Sequence, residues 1–304
     1  MLKNYLKKKI QNLHSRTFDD LKVQNGKLFE HEIQKNLKNY KDISDVYFKI
    51  YSQDYEDGII QYLLKSLNIN SVKFVEIGTQ DYSESNTRYI FETMRCEGLI
   101  IDPLKDLEHK IGKFLKLWQN QLFVHNNFIQ AKNINKILAK YSFQDDLDLF
   151  SIDIDGIDYW ILKELKRQIS KIFILEYNPY FGPNKEICAP NIDKFERFKY
   201  HSSGLCWGMS LKAAINIMRE KGYTFIGTNR LNCNAFFINN NYINTISINL
   251  PKTKNLEPYT DVKFRVLKTL KKSIASLEQV QEEIGSLEVF DIKNNKLDYF
   301  NNIF

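Results

Sequence analysis

The stretch FVEIGTQDYSESNTR, residues 74–88, runs from an apolar segment into a carboxylate, a lone glycine and a polar string. With Ser71, Val72 and Lys73 before it, the apolar part reads as a strand ending on Glu76 and Gly78. The polar part opens a helix predicted over residues 84–95, with Glu84 in its first turn. Such a strand-to-helix turn is either a plain connection with a capped helix or a cradle for a charged ligand, and the neighbouring elements decide between the two.

Working outward, EDGIIQYLLKSLN (56–68) has helical periodicity, with Ile59, Ile60, Leu63, Leu64 and Leu67 on one side. Short apolar strands are predicted at 96–103, 121–128, 147–155 and 171–178, with helical segments between them. A helix at 210–222 then precedes the strands YTFIGTN and NAFFIN. Alternating strands and helices imply a parallel sheet covered on both faces. The last two strands are joined by RLNC, too short for a parallel crossover, so they pair antiparallel. Residues 1–50 read as a helical N-terminal extension, 51–240 as the α/β domain and 241–304 as a C-terminal helical extension. The C-terminal extension carries FRVLKTLKKSIASLEQVQEEIGSLE, a polar helix suited to clamp the site or to form a homodimer.

The 304 residues, 43% hydrophobic, suffice for one substantial core. A net charge of +6 spread over scattered lysines gives no concentrated patch for nucleic acid. No apolar run reaches the length of a membrane span, and MLKNYLKKKIQNL lacks the apolar core of a signal peptide. That first segment reads as a solvated helix packed on the body, with a membrane-surface or partner helix as the other reading. Cys96, Cys188, Cys206 and Cys233 form no C-x-x-C pair and are expected as buried thiols of a cytoplasmic protein.

In open parallel sheets, ligands bind beyond the C-terminal strand ends. There the first strand delivers Glu76 and Gly78, the second Asp102, the third His125, Asn126 and Asn127, the fourth Asp153 and Asp155, and the fifth Glu176 and Asn178. A pyrophosphate needs bare backbone and a helix N-terminus, and no G-x-G-x-x-G is present. Glu76 suits a cationic amino group and Asp102 suits ribose hydroxyls. S-adenosylmethionine satisfies both, and nicotinamide dinucleotides do not.

VEIGTQDYSESN followed by GLIIDP resembles the class I S-adenosylmethionine-dependent methyltransferases. The strings SQDYEDGIIQYL, SIDIDGIDYW, LEYNPYFGP and GTNRLNCNAFF are similar to bacterial methyltransferases encoded with surface-polysaccharide genes and related to the FkbM-type sugar O-methyltransferases. The resemblance covers about residues 51–240. It implies an α/β fold with a seven-stranded, mostly parallel Rossmann-like sheet ending in an antiparallel hairpin. It further implies methyl transfer to a hydroxyl of a sugar, a nucleotide-sugar or another capsule precursor. A phosphoramidate acceptor and a catalytically silent scaffold are the competing expectations.

By the same resemblance Glu76, Gly78 and Asp102 hold the cofactor, Asn127 or Phe128 borders the adenine, and Ser85, Asn86 and Thr87 hold the methionine carboxylate. Removing a hydroxyl proton needs a base or a metal. Asp153 and Asp155, two residues apart and expected on one side of a strand, are candidates for either role, or else one of them caps the next helix through the Gly156 turn. Glu176 and Asn178 complete a candidate magnesium or manganese site with Asp153. His201, in KYHSSGLCWG, is a further candidate base.

Overall fold

The computed structural model describes residues 2–115, 117, 120–261 and 277–303, with the backbone alone for residues 2–17. Ten strands are described: β1 Ser71–Ile77, β2 Arg95–Ile101, β3 Gln121–His125, β4 Leu147–Ile152, β5 Ser170–Glu176, β6 Ile187–Cys188, β7 Tyr223–Thr228, β8 Asn234–Asn239, β9 Glu288–Asp291 and β10 Lys296–Tyr299. The α-helices are α1 Leu2–Asn36, α2 Glu56–Ser66, α3 Arg88–Thr93, α4 Leu107–Ile111, α5 Ile134–Lys140, α6 Asp158–Glu164, α7 Arg197–Tyr200, α8 Leu211–Glu220 and α9 Leu277–Glu283.

Seven strands form one sheet in the order β3-β2-β1-β4-β5-β8-β7. The first five are parallel, and β8 runs antiparallel between β5 and β7. The expected mostly parallel sheet with an antiparallel hairpin is therefore present. The strand order reverses between β1 and β4, which makes the gap beyond their C-terminal ends the natural ligand crevice.

The period-2 alternation of each strand sorts side chains to two apolar layers. Val75, Ile77, Phe150, Ile152, Phe173 and Leu175 pack towards α5, α6 and α8. Phe74, Leu149, Ile172, Ile174, Phe236 and Ile238 pack on the opposite face with α2 and α3. Parity then puts Glu76, Ser151, Glu176 and Asn234 on the α2–α3 face as well. Gly58 lets α2 approach the backbone of residues 46–48: a Cβ there would meet the Val46 carbonyl oxygen at 1.9 Å, and its N–H donates to Phe48 O at 3.1 Å.

Three elements differ from the sequence expectation. The helix expected from residue 84 begins at Arg88, because residues 84–87 wrap around a buried carboxylate instead. The strand expected to carry Asp153 and Asp155 stops at Ile152, since Asp155 has a left-handed φ of 52°. The C-terminal segment is not wholly helical: after α9 it forms the hairpin β9–β10, which adds to β6 in a second, three-stranded antiparallel sheet. That hairpin turns at Asn295, with φ 53°, and covers its own apolar cluster around Phe181, Ile187, Ile284 and Phe300. Residues 262–276, on which most of the polar helix expected there falls, lie outside the described residues.

Lys221 shows how helix ends are satisfied. Its side chain lies largely against the protein, and its ammonium donates to the carbonyls of Lys163 and Leu165 at the end of α6. Replacing Lys221 by Met should lower stability by roughly 1–3 kcal/mol, because two carbonyls lose a charged donor. Urea denaturation of the variant measures this.

Candidate active site

Beyond the C-terminal ends of β1, β2 and β4 lies a cavity of about 360 Å³. This is within the usual range for small-molecule sites, about 300–1,000 Å³. Its wall includes Glu76, Gly78, Asp102, Asn127, Phe128, Asp153, Asp155, Ser85, Asn86 and Asn234. Strand ends as far apart in sequence as those at Glu76 and Asn234 thus meet around one volume.

At its base is Glu76, buried to 4% exposure. Its carboxylate accepts hydrogen bonds from Ser85 Oγ (2.7 Å), Asn86 N (2.9 Å), Thr87 N (3.0 Å) and Thr87 Oγ1 (2.5 Å). Burial still raises its pKa above the ordinary carboxylate range, against the lowering effect of these donors. The sequence offered Ser85, Asn86 and Thr87 to a ligand carboxylate through their side chains and N–H groups. The structure corrects that role: the N–H groups of Asn86 and Thr87 point at Glu76, Ser85 N donates to Tyr51 O, and Thr87 is fully buried off the cavity wall. The polar string is a helix entrance held by a strand-end acid, with Ser85 and Asn86 still facing the cavity.

Gly78, with φ 86°, allows the close contact of β1 with β4, for a Cβ there would lie 1.5 Å from Asp153 O. Asp102 accepts from Gln80 N at 2.7 Å and Leu104 N at 2.8 Å, fixing the loops after β1 and β2. Burial raises its pKa, against the lowering effect of its backbone donors, and Asp102 lines the cavity. Asn127 and half-exposed Phe128 close the wall after β3.

Asp153 and Asp155 follow β4. Neither caps α6, whose N-cap is Ile157 with no side-chain cap bond; fully buried Asp158, at the first position of the helix, ties down the loop before it, accepting from Ile154 N at 3.0 Å and Gly156 N at 2.9 Å. Asp155 forms an ion pair with Arg197 at 2.5 Å. Oxygen atoms of Asp153, Asp155 and Glu176 come within 4.8 Å of one another. Burial holds Glu176 well above the ordinary carboxylate range, and the neighbouring charge of Asp153 pushes it in the same direction. Burial raises Asp153 too. Glu176 Oε2 has no hydrogen-bond partner.

Two nominated residues are not part of this constellation. Asn178 is fully buried and its side chain is committed: Nδ2 donates to Leu205 O and Trp207 O, and Oδ1 accepts from Tyr180 N. It holds the 203–209 loop, with its oxygen turned to Tyr180 N and the residue off the cavity wall. His201 bonds Ser203 Oγ through Nδ1 at 2.7 Å and is absent from the cavity wall.

Sequence reasoning passed over the role of SQDYEDG. Asp57 accepts from the N–H groups of Ile50, Tyr51 and Ser52 at 2.6–3.0 Å. Asp54 takes Arg230 and Leu231 N, and Glu56 Oε1 takes the side-chain amides of Asn229 (2.8 Å) and Asn234 (2.9 Å). This acid-rich helix start is thereby knotted to the β7–β8 turn, and Gln53 reaches the cavity wall. Three acids within four residues of a helix start were the available signal.

No protein-family model and no curated protein matches the chain. Among solved structures it is similar to a S-adenosylmethionine-dependent methyltransferase from Clostridium acetobutylicum, at 8% identity, over 60% of this chain and 88% of that one, with a TM-score of 0.37. It is also similar to the N-terminal domain of EvdMO1 with SAH bound, at 10% identity, over 69% and 95%, with a TM-score of 0.41. A third is the complex between the Haloferax volcanii Trm112 methyltransferase activator and the putative methyltransferase, at 14% identity, over 51% and 63%, with a TM-score of 0.31.

Two outcomes follow from the geometry. Gly78→Ala should cost at least about 2 kcal/mol, because the backbone of β1 or β4 must move to admit the methyl group; thermal denaturation measures it. Burial pushes Asp158 from 3.8 up to about 6 in the folded chain. Between those values the folded state binds more protons than the unfolded one, so this contribution to stability is present at low pH and is lost as pH rises through about 6. Comparing unfolding free energies of the parent and Asp158→Asn from pH 4 to 7 should show a shallower fall for the variant.

Proposed function

We propose that the chain is a S-adenosylmethionine-dependent O-methyltransferase acting in the cytoplasm on a sugar or nucleotide-sugar hydroxyl of a bacterial surface polysaccharide, with its catalytic domain over residues 51–240. The observation that carries this reading is the joining of two half-sites in one cavity. One half, Gly78, Asp102, Asn127 and Phe128, is uncluttered backbone, a fixed acid and an aromatic edge, which suits an adenosine. The other half, Asp153, Asp155 and the adjoining Glu176, is a set of oxygens, which suits an acceptor about to lose a proton.

In this reading Asp102 accepts hydrogen bonds from the ribose, and Glu76 holds Ser85 and Asn86 against the methionine end. Methyl transfer moves the sulfonium methyl to the acceptor oxygen, leaves neutral thioether sulfur behind and requires the hydroxyl proton to leave. That proton goes to Asp153 or Asp155, the carboxylates on the wall at this end. Binding energy is used to bring oxygen and methyl into line. The reading includes a divalent cation, magnesium or manganese, at the same end, where it would neutralise the acids and acidify a bound hydroxyl. Lys194, exposed on the cavity wall, is the basic residue there among the described residues and supports an acceptor carrying a phosphate.

Calorimetry should show S-adenosylmethionine and its demethylated product binding at micromolar Kd, about 8 kcal/mol. Asp102→Ala should weaken both by roughly 1.5–3 kcal/mol through loss of charged hydrogen bonds. NAD and NADP should produce no thermal shift, since no glycine-rich phosphate loop is present. Absence of S-adenosylmethionine binding to the folded parent protein would leave the silent scaffold standing. Methylation of a phosphoramidate but of no sugar, in a mass-spectrometric acceptor screen, would replace the acceptor class.

A further inference from the structure

Two buried acceptor oxygens stand side by side at the β5–β8 edge of the cavity with no donor facing them. Glu176 and Asn234 are direct partners in the antiparallel ladder, so their side chains leave the sheet on the same face. Glu176 is 7% exposed and its Oε2 is unpartnered; Asn234 is 2% exposed, lines the cavity, and its Oδ1 is unpartnered. The orientation of the Asn234 amide is fixed from behind. Its Nδ2 donates to Glu56 Oε1 at 2.9 Å, and a carboxylate accepts only, so the carbonyl oxygen is the end left over. Glu56 is itself fully buried and anchored by Asn229 and by the N–H of Asp54.

An isolated buried acceptor is costly, and two beside a pair of clustered carboxylates call for a ligand that satisfies oxygens alone. The charge balance narrows the choice. Asp155 is compensated by Arg197, whereas among the described residues no Lys, Arg or His forms an ion pair with Asp153 or Glu176. Asp153 and Glu176 hydrogen-bond each other, which needs a proton held between them; a doubly charged, hard cation would displace that proton and join both carboxylates to the neutral carbonyl. A Mg²⁺ or Mn²⁺ ion about 2.1 Å from each oxygen spans ligands up to roughly 4 Å apart, a modest closing of the cluster seen here.

We infer that Asn234 is a ligand of the divalent cation, through its side-chain carbonyl and together with Asp153 and Glu176, and that Glu56 is the positioning residue that keeps that carbonyl turned to the ion. The inference rests on the cation of the proposed function but not on its methyl donor. It replaces Asn178, whose amide is fully engaged elsewhere, with a residue from the antiparallel strand. The remaining positions fall to water and to the acceptor hydroxyl.

The test is titration of the chelator-treated, full-length protein with MnCl₂, followed by calorimetry and by the electron paramagnetic resonance of free Mn²⁺. One ion per chain is expected. Glu176→Gln should abolish it, and Asn234→Leu and Asn234→Ser should each weaken it roughly tenfold or more. Circular dichroism and binding of the demethylated cofactor product are recorded on the same samples. Mn²⁺ bound with unchanged affinity by both folded Asn234 variants overturns the inference and leaves the cation in place. No Mn²⁺ bound by the parent overturns both the inference and the cation, while cofactor-product binding still stands or falls by itself. Several weak ions insensitive to Glu176→Gln mark adventitious surface binding and overturn it as well.

Discussion

At the end of β1 there is no room for a side chain. Gly78 passes so close to the carbonyl of Asp153 that a single methyl would overlap it. The backbone continues across this junction as a ladder, with Gly78 N donating to Ile101 O and Asp153 N to Ile77 O. Because the strand order reverses here, the chains leaving β1 and β4 diverge to opposite sides, and the opening between them becomes the cavity. The close contact also sets where Asp153 sits, since its backbone is clamped before the chain turns at Asp155.

Strand parity does the next piece of sorting. Glu76, Ser151, Glu176 and Asn234 all fall on the α2–α3 face, an otherwise apolar layer, so each must find a polar partner or a ligand. Glu76 finds four donors in residues 85–87, and Asn86 Nδ2 reaches Ser151 Oγ. Asn234 is half satisfied by Glu56, and Glu176 meets only another acid. The same rule thus builds rigid walls at one end of the cavity and leaves unanswered acceptors at the other. Carboxylates with a full set of donors and those without differ here by their neighbours, not by their burial.

The rim is assembled from segments remote in sequence. Asp54 and Glu56 at the start of α2 grip the β7–β8 turn, while Arg197 before the 201–209 loop reaches Asp155. Lys194 and Phe195 come to the wall from the loop after β6. The small sheet of β6, β9 and β10 supports that loop from outside, through an apolar cluster shared with Phe195 and Tyr200.

By itself the sequence determined the element order, the parallel sheet and the antiparallel last strand, because apolar period and loop length are local properties. It also determined which strand ends carry acids, and Gly78, Asp102, Asn127, Phe128, Asp153 and Asp155 do meet at one cavity. Only the tertiary structure decided what each polar group faces. A carboxylate such as Glu76 reads the same whether its donors come from a ligand or from a loop nine residues on. Asn178 and Asn234 are both asparagines at strand ends, and their difference lies in which carbonyls and amides the fold sets beside them: Leu205 O and Trp207 O against Asn178, Glu56 against Asn234. The β9–β10 hairpin was hidden for another reason. Strands of four residues carry too few alternations to stand out, and they become stable only when β6 and the cluster beneath supply the missing partners.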